Sequence, residues 1–570
     1  MTGSTALARR PSAFVRWAAV AAGTAGGAAA GVAMWPVVAA LVLLAGGLVL
    51  WQAVRADGGA ATVPAAPRDD AAGDGRDDDA AGDERDDVVT VTDPVLTLSV
   101  TAAVVGGIVA AVALPTALAA AGAALVTLLV RRPVLAAYLW LGLTPLVVGI
   151  DRGTLLPLLR PNEALLVVLV GALLVRALLD WRARRPTGLR ATRVEAGFVL
   201  LALTSAVLPA LWSVAQGRGL QFEDVLSAAN VLKYFAVYGV VRYAVRSQSQ
   251  VRTCLWLSMG VCALVAVIAV LQSLRVPGVP ELLATFWATG EDTAALANAR
   301  GSATIGHTQG LADVMVFNLA IATAMLLRGA GPRRLLLPLA GLFLLGALAS
   351  GQVSGVVGLV VGVVAVGYAL RRLGTVLLGF LAVLPFAAVA LLPVIAARLD
   401  RLDPSSGLPV SWIARWENLR TYFWPPLFED GGWVLGVQLV PEAEGREVWQ
   451  PTVWIESGHT WLLWIGGVPF LVAFFVFLAW VLTVSLRASS ASGALLSVAG
   501  AASFAAWWTV AAGMFFDPHL FLRGSADLSF PLLALAVSAA TSRPEQGGPP
   551  ARDARRSDRR AAPGRPGGQR

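Results

Sequence analysis

The chain has 570 residues, 57% of them hydrophobic and only 14% charged, with a mean hydropathy of +0.70. A water-soluble domain needs far more polar cover, so a globular enzyme or soluble binding module is excluded. The net charge of +8 does not signal nucleic acid, because the arginines gather at the ends of apolar runs and in the C-terminal tail, the pattern of cytoplasmic loops.

Apolar runs of about 17 to 25 residues recur along most of the length, each long enough to cross roughly 30 Å of hydrocarbon as a helix. Lipid offers no partners to backbone N–H and C=O groups, and no alternating pattern suggests a barrel. The fold expected is therefore all-α, a polytopic transmembrane helical bundle. Residues 1–54 carry Arg9, Arg10 and Arg16 ahead of two apolar runs, 18–33 and 35–53. The arginine pair resembles a twin-arginine signal, but the apolar stretch is too long for a signal core and lacks a clear cleavage site. A cytoplasmic stub with an uncleaved transmembrane hairpin is the reading. Residues 55–94 set Asp69, Asp70, Asp74, Asp77, Asp78, Asp79, Asp83, Glu84, Asp86 and Asp87 among Ala, Gly and Pro. Such a segment buries too little apolar surface to offset its ordering entropy; it reads as a disordered acidic linker rather than a preorganised ligand cage.

The polytopic membrane domain occupies 95–541, with about fourteen core spans. They fall near 95–113, 115–130, 133–150, 163–180, 194–213, 223–243, 253–273, 309–327, 334–350, 353–370, 374–397, 458–483, 491–513 and 525–541. With the N-terminus in the cytoplasm, Arg131-Arg132, the Trp181–Arg193 loop, Arg242–Arg252, Arg328–Arg334, Arg371-Arg372, Arg487 and the tail at 542–570 all lie inside. Both termini are then cytoplasmic, and 151–162, 214–222, 274–308, 398–457 and 514–524 face outward. The tail is Pro, Gly and Arg, reading as disordered and held near anionic lipid by its arginines. Cys254 and Cys262 share one apolar span and read as small hydrophobes. Lys233 and Asp313 are charges within spans and must face the interior or a wet cavity; they read as structurally paired, since a proton or ion relay normally needs more such groups.

The outer loop 398–457 has room for chemistry. It holds Arg398, Arg401, Arg415, Arg420 and Arg446 and ends at Gly458-His459-Thr460-Trp461, where a span begins. Within it Trp412, Trp416, Leu419 and Phe423 recur at helical spacing, with Ser411 as cap and Pro425-Pro426 as stop, predicting a short amphipathic helix at the membrane surface. Arg415 and Arg420 lie about 140° apart around that helix, so they do not both face one ligand unless the helix lies across it. They read either as a headgroup-binding face or as a phosphate clamp. His307 and His519 also lie in or beside outer loops, but without paired-ligand spacing, and no metal is expected. There is no P-loop or dinucleotide fingerprint, and Asp400 and Asp403 make no convincing nucleotide-sugar pair, so no cofactor is expected either.

Three stretches carry a likeness: Arg300 to Ala312 (RGSATIGHTQGLA), Arg415 to Phe428 (RWENLRTYFWPPLF) and Glu456 to Phe470 (ESGHTWLLWIGGVPF). In their order and topology, over residues 195–540, the chain resembles the O-antigen ligase and O-antigen polymerase family of bacterial polysaccharide membrane proteins. The resemblance implies a metal-independent glycosyltransferase in the bacterial inner membrane. Its donor would be a polyprenyl-pyrophosphate-linked glycan at the outer face, and its acceptor a glycan or a lipid-linked acceptor. It implies His459 as general base and Arg415 as stabiliser of the departing pyrophosphate, with Arg300 or Arg420 binding substrate beside it. Membrane lipids and other polysaccharide-assembly proteins are the further partners expected, and no nucleic acid. The alternatives are a transporter or lipid-linked glycan flippase, and a non-catalytic assembly protein.

Overall fold

The computed structural model describes residues 114–155, 159–184, 191–287, 300–400, 402–447 and 450–541. The expected hairpin at 1–54, acidic linker at 55–94, span at 95–113 and tail at 542–570 lie outside the described residues, as do the side chains of Arg398, Arg401 and Arg446.

Helices dominate. They are α1 (Leu114–Arg131), α2 (Val134–Val147), α3 (Pro161–Arg182), α4 (Arg193–Ala202), α5 (Leu208–Ala215), α6 (Phe222–Ala244), α7 (Gln248–Ser273), α8 (Val279–Phe286) and α9 (Thr308–Arg328). There follow α10 (Arg333–Ala349), α11 (Val353–Ala369), α12 (Leu373–Ala390), α13 (Leu392–Leu399), α14 (Val410–Asn418), α15 (Gly458–Ser489), α16 (Ala494–Gly513) and α17 (Ser525–Thr541). A π turn at Leu203–Val207 joins α4 to α5. Every span expected between 115 and 541 falls on a helix. Eight crossings meet the length and hydropathy of a full span: α3, α4 with α5, α6, α7, α9, α12, α15 and α16. Helices α2, α11 and α17 are apolar but shorter, so a total near fourteen would require short helices to cross as well.

Burial sorts these helices. Most of the apolar window of α9 (83%) and α16 (78%) is buried, against 22% for α3 and 11% for α12, whose exposed leucines and valines give these helices an apolar outer surface. The sequence of α16 is rich in Ala, Gly and Ser, and small side chains let neighbouring backbones approach closely where lipid supplies no hydrophobic drive. Helices α9, α11, α15 and α17 all pack against it.

Helix α15 is broken. Gly467 has φ 63° and ψ −160°, a region open essentially to glycine alone, and Pro469 follows. The long loop fills the gap: Val437 N donates to Trp464 O at 2.7 Å and Val468 N donates to Trp433 O at 2.8 Å. A Cβ on Gly467 would stand 2.4 Å from Val434 O. Irregular backbone within a span is tolerated only where protein covers it, and here residues 433–437 supply that cover. The other side of the break meets the π turn, where a Cβ on Gly466 would lie 2.3 Å from Thr204 O.

The loop departs from the sequence reading in two ways. Helix α14 starts after Pro409, with no side-chain cap, so Ser411 is inside it. Nor does Pro425-Pro426 stop it, because π turns at Leu419–Phe423 and Pro425–Glu429 carry the coil onward. A wider turn relaxes the hydrogen-bond register that proline would break. The loop also forms an antiparallel hairpin, β1 (Glu442–Glu447) with β2 (Gln450–Trp454), so the described residues are mostly helical rather than all-α.

Candidate functional site

The site assembles where the long loop meets the start of α15 and the 514–524 connection between α16 and α17. The buried face of the loop helix fixes its position. Leu419 and Phe423 are buried, and the Phe423 ring meets Trp464 edge-on at 5.1 Å. Trp412 packs on Phe516 with ring centroids 5.3 Å apart. This seating carries Arg415 inward, while Trp416 (58% exposed) and Arg420 remain outside.

Arg415 is spanned by two carboxylates. Its Nη1 lies 3.0 Å from Asp517 Oδ2 and its Nη2 3.3 Å from Glu456 Oε1. A guanidinium fork suits two acceptors on different segments, and a lysine would hold only one of them well. Burial pushes the Asp517 carboxyl above 3.8, an effect that the charges of Arg415 and His519 oppose without cancelling. Burial likewise raises Glu456 above 4.5, with Arg415 opposing and Asp517 adding to the rise.

His459 stands on the other flank of the same connection. Ser457 caps α15, accepting from Thr460 N, and Gly458 N donates to Met514 O at 2.9 Å. Gly458 permits that approach, since a Cβ there would lie 2.6 Å from Met514 Sδ and 2.9 Å from its Cα. The His459 imidazole is half-buried, its ring 4.7 Å from Phe515 and 5.9 Å from Phe475. Arg415 and His459 thus flank the four residues Met514 to Asp517, the first from the loop and the second from α15.

Beneath them lies a buried ion pair that joins the site to the central helix. His519 Nδ1 is 2.6 Å from Asp313 Oδ2 on α9, with 1% and 2% of the two side chains exposed. Burial alone would depress the imidazolium, but the Asp313 carboxylate, its hydrogen bond and then Asp517 more than offset this and hold its pKa above 6.5. His519 N also donates to Asp517 O at 2.7 Å, so one short turn carries both buried partners. His307, preceding α9, shares its Nδ1 hydrogen with Gln309 Oε1 at 3.0 Å and acts electrostatically on Asp517. Carboxylates and imidazoles in contact can relay a proton, and a guanidinium beside them can hold an anion.

Of the residues expected at the site, the fold brings Arg415 and His459 to one connection and leaves Arg420 exposed. Arg300 is half-buried in a segment fastened elsewhere: Gly301 N donates to Ala349 O at 2.8 Å, and Ser302 N and Ala303 N both donate to Gln272 Oε1. Sequence reasoning did not connect Asp313 with His519, 206 positions apart, and missed Asp517 and Glu456. The available signal was Asp517-Pro518-His519, a polar triplet between two apolar helices. Among the described residues no group of three or more His, Cys, Asp or Glu side chains is arranged to hold a metal ion. No family model, no curated protein and no solved structure matches this chain.

Proposed function

We propose that this chain is a membrane glycosyltransferase-like protein that ligates or polymerises polyprenyl-pyrophosphate-linked glycans at the outer face of the bacterial inner membrane, with both termini in the cytoplasm. The observation that carries the reading is the convergence of Arg415 and His459 on the Met514–Asp517 connection, at the mouth of a broken apolar helix. A transferase using a lipid-linked donor needs a base beside the acceptor hydroxyl and a fixed cation beside the departing diphosphate. In this reading His459 takes the acceptor proton. Arg415 faces the diphosphate and is returned by Asp517 and Glu456 to the same position between turnovers, while Arg300 and Arg420 contact substrate further out. The acceptor is a glycan or a lipid-linked core.

Transport of a lipid-linked glycan is the second reading, favoured by the Asp313–His519 pair buried in the bundle, since charges kept within a membrane domain often serve a pathway. One experiment separates the two. Surface polysaccharide is sized in cells expressing wild type, His459→Ala or no protein, at matched membrane levels. Transfer predicts that His459→Ala matches the deletion and accumulates lipid-linked units at the outer face; unattached chains then indicate a ligase and shortened chains a polymerase. Wild-type polysaccharide from His459→Ala refutes the transferase reading.

A further inference from the structure

A second charged cluster lies on the far side of the 514–524 connection. Arg523 Nη1 reaches Asp151 Oδ1 at 2.6 Å. Arg152 grips Glu163 with two hydrogen bonds, 3.2 and 3.0 Å. Lys233 Nζ stands 3.9 Å from the same carboxylate and feels Asp527, Arg160 and Arg152. Arg160 completes the group, and it differs from the others. Its backbone N donates to Glu163 Oε2 at 3.1 Å, but its side-chain Nε is buried without a hydrogen-bond partner, and its guanidinium makes no ion pair among the described residues.

The charge count is unbalanced. Four cations, Arg152, Arg160, Arg523 and Lys233, face three carboxylates, Asp151, Glu163 and Asp527. The close ion pairs of Glu163 and Asp151 go to Arg152 and Arg523, so Arg160 feels both carboxylates only at longer range and the group keeps one positive charge in excess. Burial, then repulsion from Arg523, lowers the pKa of Arg160 to about 10. A guanidinium that is crowded by like charge and stripped of water costs stability unless an anion restores the balance. Arg160 also stands at the N-cap of the 22-residue helix α3, whose dipole adds positive potential here, offset in part by Glu163 in its first turn. The apolar window of the adjacent helix α3 is only 22% buried, so a ligand with a hydrocarbon tail has an exposed apolar surface to lie on.

We propose that Arg152, Arg160 and Arg523, with Lys233 behind them, form a receptor for a phosphate-bearing headgroup, and that Arg160 is its principal contact. If the transferase reading holds, this cup anchors the diphosphate of the donor, and Arg415 meets it only at the reacting end; that assignment rests on the reading, whereas phosphate binding does not. The Arg160 fork is matched to two phosphate oxygens, while Arg152 and Arg523, held by Glu163 and Asp151, add positive charge beside it.

The test uses the purified full-length protein in detergent, with farnesyl diphosphate, inorganic pyrophosphate, phosphatidylglycerol and farnesol as probes and binding followed by microscale thermophoresis. Farnesyl diphosphate should bind, farnesol should not, and Arg160→Gln should weaken binding by about tenfold or more, with Arg160→Lys between them. Pyrophosphate binding as tightly as farnesyl diphosphate would identify a free-anion site, and preference for phosphatidylglycerol a structural lipid site; both retain the phosphate cup and remove the donor assignment. Thermal unfolding without ligand separates binding from folding. Because Arg160 Nε has no hydrogen-bond partner to lose and the guanidinium is repelled by Arg523 and Arg152, Arg160→Gln should leave the melting temperature unchanged or raise it. Unaltered affinity in a well-folded Arg160→Gln overturns the proposal, as does a lowered melting temperature with no probe binding. Loss of glycan transfer in His459→Ala with intact probe binding supports both conclusions, and retained transfer with intact binding removes the transferase alone.

Discussion

Replacing Asp313 with Asn tests the buried pair, because it keeps the size and an acceptor for His519 Nδ1 and removes only the charge. At 2.6 Å and almost no exposure, the wild-type bond is charge-assisted, worth about 1.5–3 kcal/mol against about 0.5–1.5 for a neutral one. While the imidazolium is charged, the loss is therefore about 1–2 kcal/mol. The pH dependence is more diagnostic. In wild type the folded pKa of His519 is raised above 6.5, so its contribution is complete below 6.5 and is lost as pH rises through the folded value. In Asp313→Asn burial wins, the folded pKa falls below the unfolded one, and stability is lost as pH falls. The gap should widen in acid by at most about 1.4 kcal/mol per pH unit, toward the roughly 3–5 kcal/mol lost on breaking a buried pair. Asp517, Arg415 and His307 face the same imidazole neighbourhood in both proteins and cancel in the difference. The measurement is thermal unfolding in detergent from pH 5.5 to 8.5, followed by tryptophan fluorescence. A gap that stays constant with pH, or narrows in acid, would refute the reasoning.

Arg415→Gln strands Asp517 at 4% exposure and should cost about 2–4 kcal/mol by the same unfolding assay, whereas Arg420→Ala, on the exposed side of the coil, should stay within about 0.5 kcal/mol; equal losses would mean that Arg415 is not the anchoring arginine. Gly467→Ala must place a Cβ 2.4 Å from Val434 O at a φ of 63° and should lose about 3 kcal/mol or more, or fail to give monodisperse protein by size exclusion. Normal behaviour of that variant would show that the break in α15 is not fixed there.

The helical bundle was legible because the membrane imposes it: apolar runs of span length have one backbone solution, and the residue ranges read from 115 to 541 coincide with helices. The long loop was legible only in part. Its apolar stripe at Trp412, Trp416, Leu419 and Phe423 foretold a helical coil with an apolar face, but not that Leu419 and Phe423 are buried against protein while Trp416 stays exposed, and local rules for Ser411 and Pro425-Pro426 failed, since a π turn changes the register on which capping and proline rules depend. The break in α15 was hidden by hydropathy, which averages over Gly466-Gly467 and sees only an apolar stretch. The pairing of Asp313 with His519 could not be read, because periodicity reports what shares a face and says nothing of what meets across 206 positions.

The two charged clusters share one support. The connection 514–524 carries Asp517 toward the long loop, His519 toward α9 and Arg523 toward Asp151 before α3, and its own backbone is pinned at both ends, by Gly458 N on Met514 O and by the Tyr234 hydroxyl on Phe521 O at 3.2 Å. On the proposed reading, an anion entering the Arg160 cup compensates charge on one side of this connection, while Arg415 on the other exchanges a carboxylate for the same ligand. Asp517, with its carboxyl already raised by burial, then takes up a proton more readily than an exposed aspartate. Substrate entry should therefore be accompanied by proton uptake. Calorimetry with farnesyl diphosphate in buffers of different ionisation enthalpy measures it directly: a buffer-dependent heat that disappears in Asp517→Asn supports the coupling, and a buffer-independent heat in wild type removes it.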